Sequence, residues 1–493
     1  MLFHALSRWG ASASAALLAG SLSAGQDLRY RVVELRDPLA APSLDSYGNA
    51  IDIQGNVAGK SFSSTSSADP FVWNERDGFQ VVRGGFAPNS GATSISGGEN
   101  LSGTAVFGNT RRAFAWIRGR YYDIGGGEAY GVNQKGLVVG QLQSTGRAFL
   151  WSPEGFVQLG SLPSCPLSLA TAINESDTVV GYCVGSGIRG FKWSEGVMQD
   201  LGTHPNFPYG SQAYGVNYRG EVAGVIFQSA LNQRAAVHRD GQWINIGSLY
   251  AGYNTFAYGL NDLTQVVGMD GLYQQPIFWS DETGLRGLRN YISNWGNWTA
   301  MTCQSINNKG WIVGTGLVQY AAGKQRFSAF VMLPTEIEVE PQGLRVRLGR
   351  VLAGDLDSLH ELDGDVLRVA RYVVPNQTVA PVTFEVEASL PEAPMNLWVQ
   401  SYGKMASQGS FEQTLSFFDW TQNQFDASDA GRAEITRNQK LLESVARGNI
   451  RRFVRDGDLA VRARIEVRAT GPTANPVWES EHDFVGFRMV PRE

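Results

Sequence analysis

Few side chains of this chain are placed to do chemistry. Histidine occurs at His4, His204, His238, His360 and His482, and no two have the spacing that brings a pair of imidazoles onto one metal ion. No Gly-x-Ser-x-Gly, phosphate-cradling glycine loop or Ser-x-Asp-x-Gly-x-Thr-Trp box occurs. Asp355, Asp357, Asp363 and Asp365 offer oxygen ligands of the kind calcium takes, but acidic loop ends are more often simply solvated, so no metal or cofactor is expected. Three cysteines are too few for a disulfide scaffold, although Cys165 and Cys183 flank one expected hairpin and could bridge in an oxidising compartment. Cleaving a polysaccharide requires two carboxylates, or a histidine with an acid, converging on one point. Ala129–Val132, Thr171–Ile173, Ala213–Val216 and Ala257–Leu260, the expected inner strands, contain neither. The chain is therefore expected to catalyse nothing, and a hydrolase or lyase would need loop carboxylates such as Asp262 or Glu282. Aromatic loop residues offer more: Phe207 and Tyr209, Tyr250 and Tyr253, and Trp295 and Trp298 could stack on a sugar or grip a peptide.

The elements that position these residues belong to an internal repeat. Ala129-Tyr-Gly-Val-Asn133-Gln-Lys-Gly136-Leu-Val-Val-Gly140 is followed by Ala148-Phe-Leu-Trp151 and Val157-Gln-Leu-Gly160. The frame returns in six other places, two of them degenerate. Its marker positions are Asp52, Ser96, Asn133, Asn174, Asn217, Asn261 and Asn307, spaced by 37 to 46 residues. That length holds four short strands, the size of a propeller blade, and helical periodicity is absent. Asn-x-x-Gly marks the turn between the first two strands of each unit, because Asn bonds the backbone two residues on and Gly accepts positive φ. His238 stands at a repeat tryptophan position and is expected to face the core. The last copy lacks a fourth strand, while Tyr30–Arg36 precedes the first copy as an orphan. Residues 29–36 are therefore expected to pair near 327–333 and remove the open edges.

These motifs, Ile/Val-Asn, Val-Val-Gly, Ala-Phe-x-Trp and Leu-Gly, resemble the HAF-type extracellular repeat family over residues 29–334. The resemblance implies an extracellular location and a repeat architecture, and brings no catalytic residues with it. His238 and Met332 depart from the pattern by standing where it has Trp, and Ser96 by standing where it has Asn.

Beyond Pro334 the repeat disappears and charge becomes denser. Ile337-Glu-Val-Glu340, Leu344-Arg-Val-Arg-Leu348 and Leu459–Ala469 alternate with a period of two, as half-buried strands do. Glu434–Ala446 is rich in helix formers yet lies between strand runs, so a strand is expected there. Asp363-Gly-Asp-Val-Leu-Arg-Val369 and Arg462–Pro472 resemble a C-terminal module of secreted bacterial proteins, which implies a β-sandwich of unassigned role. Residues 1–25, with Arg8 ahead of an Ala/Leu-rich stretch and small residues at Ser21, Ser23, Ala24 and Gly25, read as a secretory leader. A net charge of −5 gives no reason to expect nucleic acid as a partner. The whole is expected to be all-β: a leader over 1–25, a seven-bladed β-propeller over 28–334 closed by an N-terminal strand, and an antiparallel β-sandwich over 335–493. Its expected role is a secreted or cell-surface binding protein taking a glycan or a protein at the channel mouth, with a propeller hydrolase or lyase, or a structural envelope component, as alternatives.

Overall fold

The computed structural model describes residues 29–492 apart from 84–88, 164, 230, 272–273, 372–380, 428–429 and 472–477. The leader expected over residues 1–25 lies outside the described residues. The described chain is built of β-strands, with three short 3-10 turns and no α-helix.

Residues 46–334 repeat a four-stranded antiparallel meander. The first comprises Ser46–Ile51, Val57–Phe62, Ala68–Asn74 and Gly78–Val81. The second begins at Ser90–Ser96 and the third ends at Gly155–Gly160; they share the long strand Arg120–Val132. The fourth begins at Leu167–Ile173, the fifth at Gly210–Val216 and the sixth at Thr255–Leu260. The last contains Trp298–Ile306, Ile312–Ala321 and Lys324–Pro334, and Tyr30–Leu35 supplies its fourth strand. That pairing is antiparallel, from Tyr30 opposite Pro334 to Leu35 opposite Ala329, and joins the two segments expected from the sequence to pair.

The meanders are not all separate sheets, as the sequence suggested. Arg120–Val132 runs from the outer edge of one meander into the inner strand of the next, pivoting at Gly125 and Gly127, whose φ values of 122° and 151° suit only glycine. A parallel bridge between Ile188 and Gly210 likewise joins the fourth meander to the fifth.

Packing follows the repeat. Most of the hydrophobic clusters among the meanders are made by two consecutive ones: Ala58 and Val72 meet Ala92 and Leu101, and Ala223 and Val237 meet Ala257 and Val266. The last meander packs on the first through Val313, Ala329 and Val331 against Ile51, Val57 and Phe71. Phe71, Phe114, Phe149, Phe191, Phe278 and Phe330, all from the Ala-Phe-x-Trp strands, are buried in these seams, where removing each ring from water stabilises by about 1.5–3 kcal/mol. His238 takes a buried place in the same strand, edge-on to Trp243, and burial lowers its basicity.

Beyond Pro334 two antiparallel sheets enclose one core. Leu397, Val399, Val485 and Phe487 enter it from one sheet, and Phe384, Val386, Leu415 and Ile465 from the other. Gly431–Ile435 and Lys440–Val445 are strands, because burying Ile435, Leu442 and Val445 outweighs the helix propensity of that stretch. This region is seated on the last meanders: Met395, Trp398, Val445 and Val490 share a cluster with Phe278, Met301 and Phe330.

Candidate functional site

In every meander the first strand carries a β-bulge at the same place. The register skips between Gly48 and Ala50, Ala92 and Ser94, Ala170 and Ala172, Ala213 and Gly215, Ala257 and Gly259, and Cys303 and Ser305. In Arg120–Val132 the skipped residue is Tyr130. A bulge re-aims the side chain that it releases from the ladder. The released residues are Asn49, Thr93, Tyr130, Thr171, Tyr214, Tyr258 and Gln304, and all of them line one cavity of ≈570 Å³.

The glycine of each Val-Val-Gly segment is the counterpart of the bulge. At Gly268 a Cβ would lie 1.8 Å from the Phe256 carbonyl oxygen, and at Gly181 a Cβ would lie 2.0 Å from that of Leu169. Backbone crosses the space that a side chain needs, so only glycine fits.

Below the bulges the marker residues lock the meanders together. Asn217 Oδ1 accepts from the backbone N–H groups of Arg219 and Glu221 at 3.1 and 3.0 Å, closing its own turn. Its Nδ2 reaches the Asn261 carbonyl at 3.3 Å. Asn133 donates to the Asn174 carbonyl, Asn174 to that of Asn217, Asn261 to that of Asn307, and Asn307 to that of Asp52. Asp52 Oδ2 in turn accepts from the Gly98 N–H at 2.8 Å. Ser96 cannot make this bond, and Asn100 donates to the Asn133 carbonyl instead. Each buried amide thus holds its own turn and grips the next meander.

The upper wall is aromatic and hydroxylic. Tyr182, Tyr214 and Tyr258 form an arc, with ring centroids 6.4 Å and 5.5 Å apart. Tyr214 donates to Gln212 Oε1 at 2.6 Å and Tyr130 donates to Glu128. Burial pushes the Tyr258 phenol up to about 12 and raises those of Tyr130 and Tyr214, so all three are neutral donors at physiological pH. Asn49, Thr93 and Thr171 are tied to the neighbouring meander by bonds to the carbonyls of Ala92, Ala129 and Ala213.

The floor is charged. Glu175 accepts from the Gln134 N–H and from Ser96 Oγ, at 2.9 Å in each case, and burial raises its carboxyl. Asp262 accepts from the Tyr218 N–H and from Asn308 Nδ2, also at 2.9 Å. Arg447 reaches the floor from the C-terminal sheets, with its Nε 3.5 Å from Asp262 Oδ2. Together with Ile53 and Gln134 it also borders a cleft of ≈800 Å³ between the meanders and those sheets.

None of the six loop aromatics singled out from the sequence lines this cavity. Phe207 and Trp298 are buried, the first between the fourth and fifth meanders and the second edge-on to Phe330, so neither ring is free for a ligand. Trp295 packs against the same core as Trp298 and carries the Arg289 guanidinium on its face. Tyr209, Tyr250 and Tyr253 are exposed on connections that lead into first strands. The bridge considered for Cys165 and Cys183 is not formed: both are buried free thiols, hydrogen-bonded to each other, and burial with this contact pushes the Cys183 thiol up to about 12. Asp355 and Asp363 accept from nearby backbone N–H groups and Asp365 from Ser358. No group of three or more metal-ligating side chains occurs among the described residues.

No protein-family model matches the chain. No curated protein matches it either. Several solved structures resemble it at low identity. TolB from Acinetobacter baumannii is 10% identical, with a TM-score of 0.33; the match covers 58% of this chain and 64% of TolB, less than two thirds of that protein's length. An oligogalacturonate lyase from Vibrio parahaemolyticus is 9% identical over 62% of this chain and 97% of the lyase, with a TM-score of 0.39. A sialidase from Trypanosoma rangeli is 10% identical over 94% of this chain and 96% of the sialidase, with a TM-score of 0.33. The expectation that the chain catalyses nothing is withdrawn, because its premise fails: the inner strands lack carboxylates, but Glu175 and Asp262, one residue beyond the marker asparagines, face the cavity.

Proposed function

We propose that this chain is an exported seven-bladed β-propeller of the HAF repeat type over residues 28–334, followed by a β-sandwich over 335–493, whose central channel binds a saccharide. The observation that carries this reading is the ring of bulged residues, one from each meander, facing a single cavity. The small residues on either side of them repeat, whereas the bulged position varies among Tyr, Thr, Asn and Gln. Rings with few rotors, hydroxyls and amides on a rigid scaffold suit the apolar faces and hydroxyl edges of a sugar. Closure by Tyr30–Leu35 and the circuit of asparagine bonds support a complete disc. Tyr209, Tyr250 and Tyr253 would extend the site outward as secondary contacts.

A second reading, a polysaccharide hydrolase or lyase, is favoured by Glu175 and Asp262, two carboxylates on the wall of one cavity. One experiment addresses both. Oligosaccharides are titrated calorimetrically into the exported protein and into its Tyr214→Ala and Tyr258→Ala variants, and products are followed by mass. Binding that each substitution weakens by tenfold or more supports the channel site, since stacked aromatic anchors contribute that much. Binding indifferent to both substitutions refutes it, and release of shortened or unsaturated sugars selects the catalytic reading.

A further inference from the structure

Resting on the channel reading, we infer that the saccharide is a linear neutral chain longer than the channel, which passes beside Arg447 into the cleft under the C-terminal sheets. The cavity of ≈570 Å³ and the cleft of ≈800 Å³ share Ile53, Gln134 and Arg447 on their borders. Each lies within the size range of ligand pockets, about 300–1,000 Å³. Among the described residues Arg447 is the only one beyond Pro334 that lines both. Its backbone is pinned on either side. The Ala446 N–H donates to the Leu397 carbonyl of the same sheet, and the Gly448 N–H to the Asp262 carbonyl of the sixth meander, at 2.9 Å in each case. The seam behind it is held by Lys309, whose Nζ lies 2.6 Å from Glu443 Oε2, and by Asn396 Nδ2, which donates to the Asn308 carbonyl at 2.9 Å.

The guanidinium is therefore fixed, yet its donors are idle. Among the described residues none accepts a hydrogen bond from it, and its Nε, 3.5 Å from Asp262 Oδ2, is buried without one. Its charge, by contrast, is answered, because it pairs with Asp262 and acts electrostatically on Glu175. A balanced charge gives an acidic group little to gain. Idle N–H donors at the edge of a cavity suit the hydroxyl and ring oxygens of a neutral sugar. Beyond Arg447 the cleft is lined by Gln54 and Asn74 of the first meander and by Gln400, Arg432 and Lys440 of the C-terminal sheets. These are further partners for hydroxyls. A chain already held in the channel enters the cleft without losing translational freedom a second time, so residues gained there tighten binding.

The test compares the disaccharides and hexasaccharides of cellulose, xylan, mannan and amylose by calorimetry on the full chain. For the sugar that binds, the hexasaccharide is expected to bind at least about thirtyfold more tightly than the disaccharide. Arg447→Met, which removes the donors, and Gln54→Trp, which fills the cleft from an exposed position, should each cut that ratio by about tenfold. A Tyr258→Leu substitution should weaken both lengths. Equal affinities for the two lengths, both reduced by Tyr258→Leu, would overturn the inference and leave the channel site standing. A ratio that survives Gln54→Trp would overturn the path through the cleft, and one that survives Arg447→Met would overturn the role of Arg447. Failure of every sugar to bind would remove the inference together with the channel reading.

Discussion

His482 should make the C-terminal sheets acid-labile at a pH where carboxylates are still ionised. Its ring is fully buried, lies 4.7 Å from Phe384, and neither nitrogen has a hydrogen-bond partner. Burial lowers its pKa from 6.5 to about 3. Below about pH 6.5 the unfolded chain takes up a proton that the folded chain refuses. Stability is therefore complete above that pH, falls as the pH drops, and stops falling near the folded value. Between about pH 6.5 and pH 5 the loss amounts to about 2 kcal/mol, at 1.36 kcal/mol for each unit. Other groups titrate too: burial raises the Asp52, Glu175 and Glu336 carboxyls, which adds stability as the pH falls. Comparing the natural chain with His482→Leu cancels these contributions. Urea unfolding followed by tryptophan fluorescence at about pH 7.5 and pH 5 should give two stabilities for each chain, and the pH-dependent loss should be about 2 kcal/mol smaller in the variant. Equal losses in the two chains would show that His482 is protonated, or reached by water, in the folded state.

Three further outcomes follow from the repeat and the thiols. Asn217→Ala leaves the Arg219 and Glu221 N–H groups and the Asn261 carbonyl without their partner and should cost about 2–3 kcal/mol in urea unfolding; a cost below about 0.5 kcal/mol would show that the asparagine circuit does not hold the meanders together. Gly268→Ala forces a methyl into the Phe256 carbonyl and should cost about 3 kcal/mol or prevent folding, whereas Gly126→Ala, which meets only the tip of Gln143, should stay within about 0.5 kcal/mol; similar costs at the two sites would contradict the bulge geometry. Cys165, Cys183 and Cys303 are buried free thiols, so none should react with a thiol reagent in the folded chain and three should react after unfolding in urea without reductant; one reactive thiol would show that Cys165 and Cys183 are bridged.

Most of the fold could be read from the chain because the repeating residues serve the backbone. Asn133 and Gly136 must make a turn, and Phe149 must be buried in a seam, whatever the protein does. The orphan strand at Tyr30 was legible for the same reason: an unpaired edge needs a partner. The site was harder to see. Tyr130, Tyr214 and Tyr258 stand at a variable position of the inner strand, and a period-two reading cannot show that a bulge turns them inward. The variable residue flanked by small ones was the available signal. Asp262 is legible as a loop carboxylate, but nothing in the sequence pairs it with Glu175 rather than Glu282, because only the ring of turns brings the residues after Asn174 and Asn261 to one cavity. Arg447 reaches the same cavity from a region far along the chain that shares no motif with the repeat. Phe207 and Trp298 show the opposite limit, since loop aromatics that plug a seam and those that greet a ligand look alike in sequence.

The most direct measurement is a crystal structure of the protein grown with the saccharide that binds it most tightly. Density for the sugar should lie inside the ring of bulged residues, with one face against Tyr214 and Tyr258 and an edge toward Glu175. A sugar seated only on Tyr250 and Tyr253 or on the C-terminal sheets, with the ring of bulged residues empty, would contradict the account.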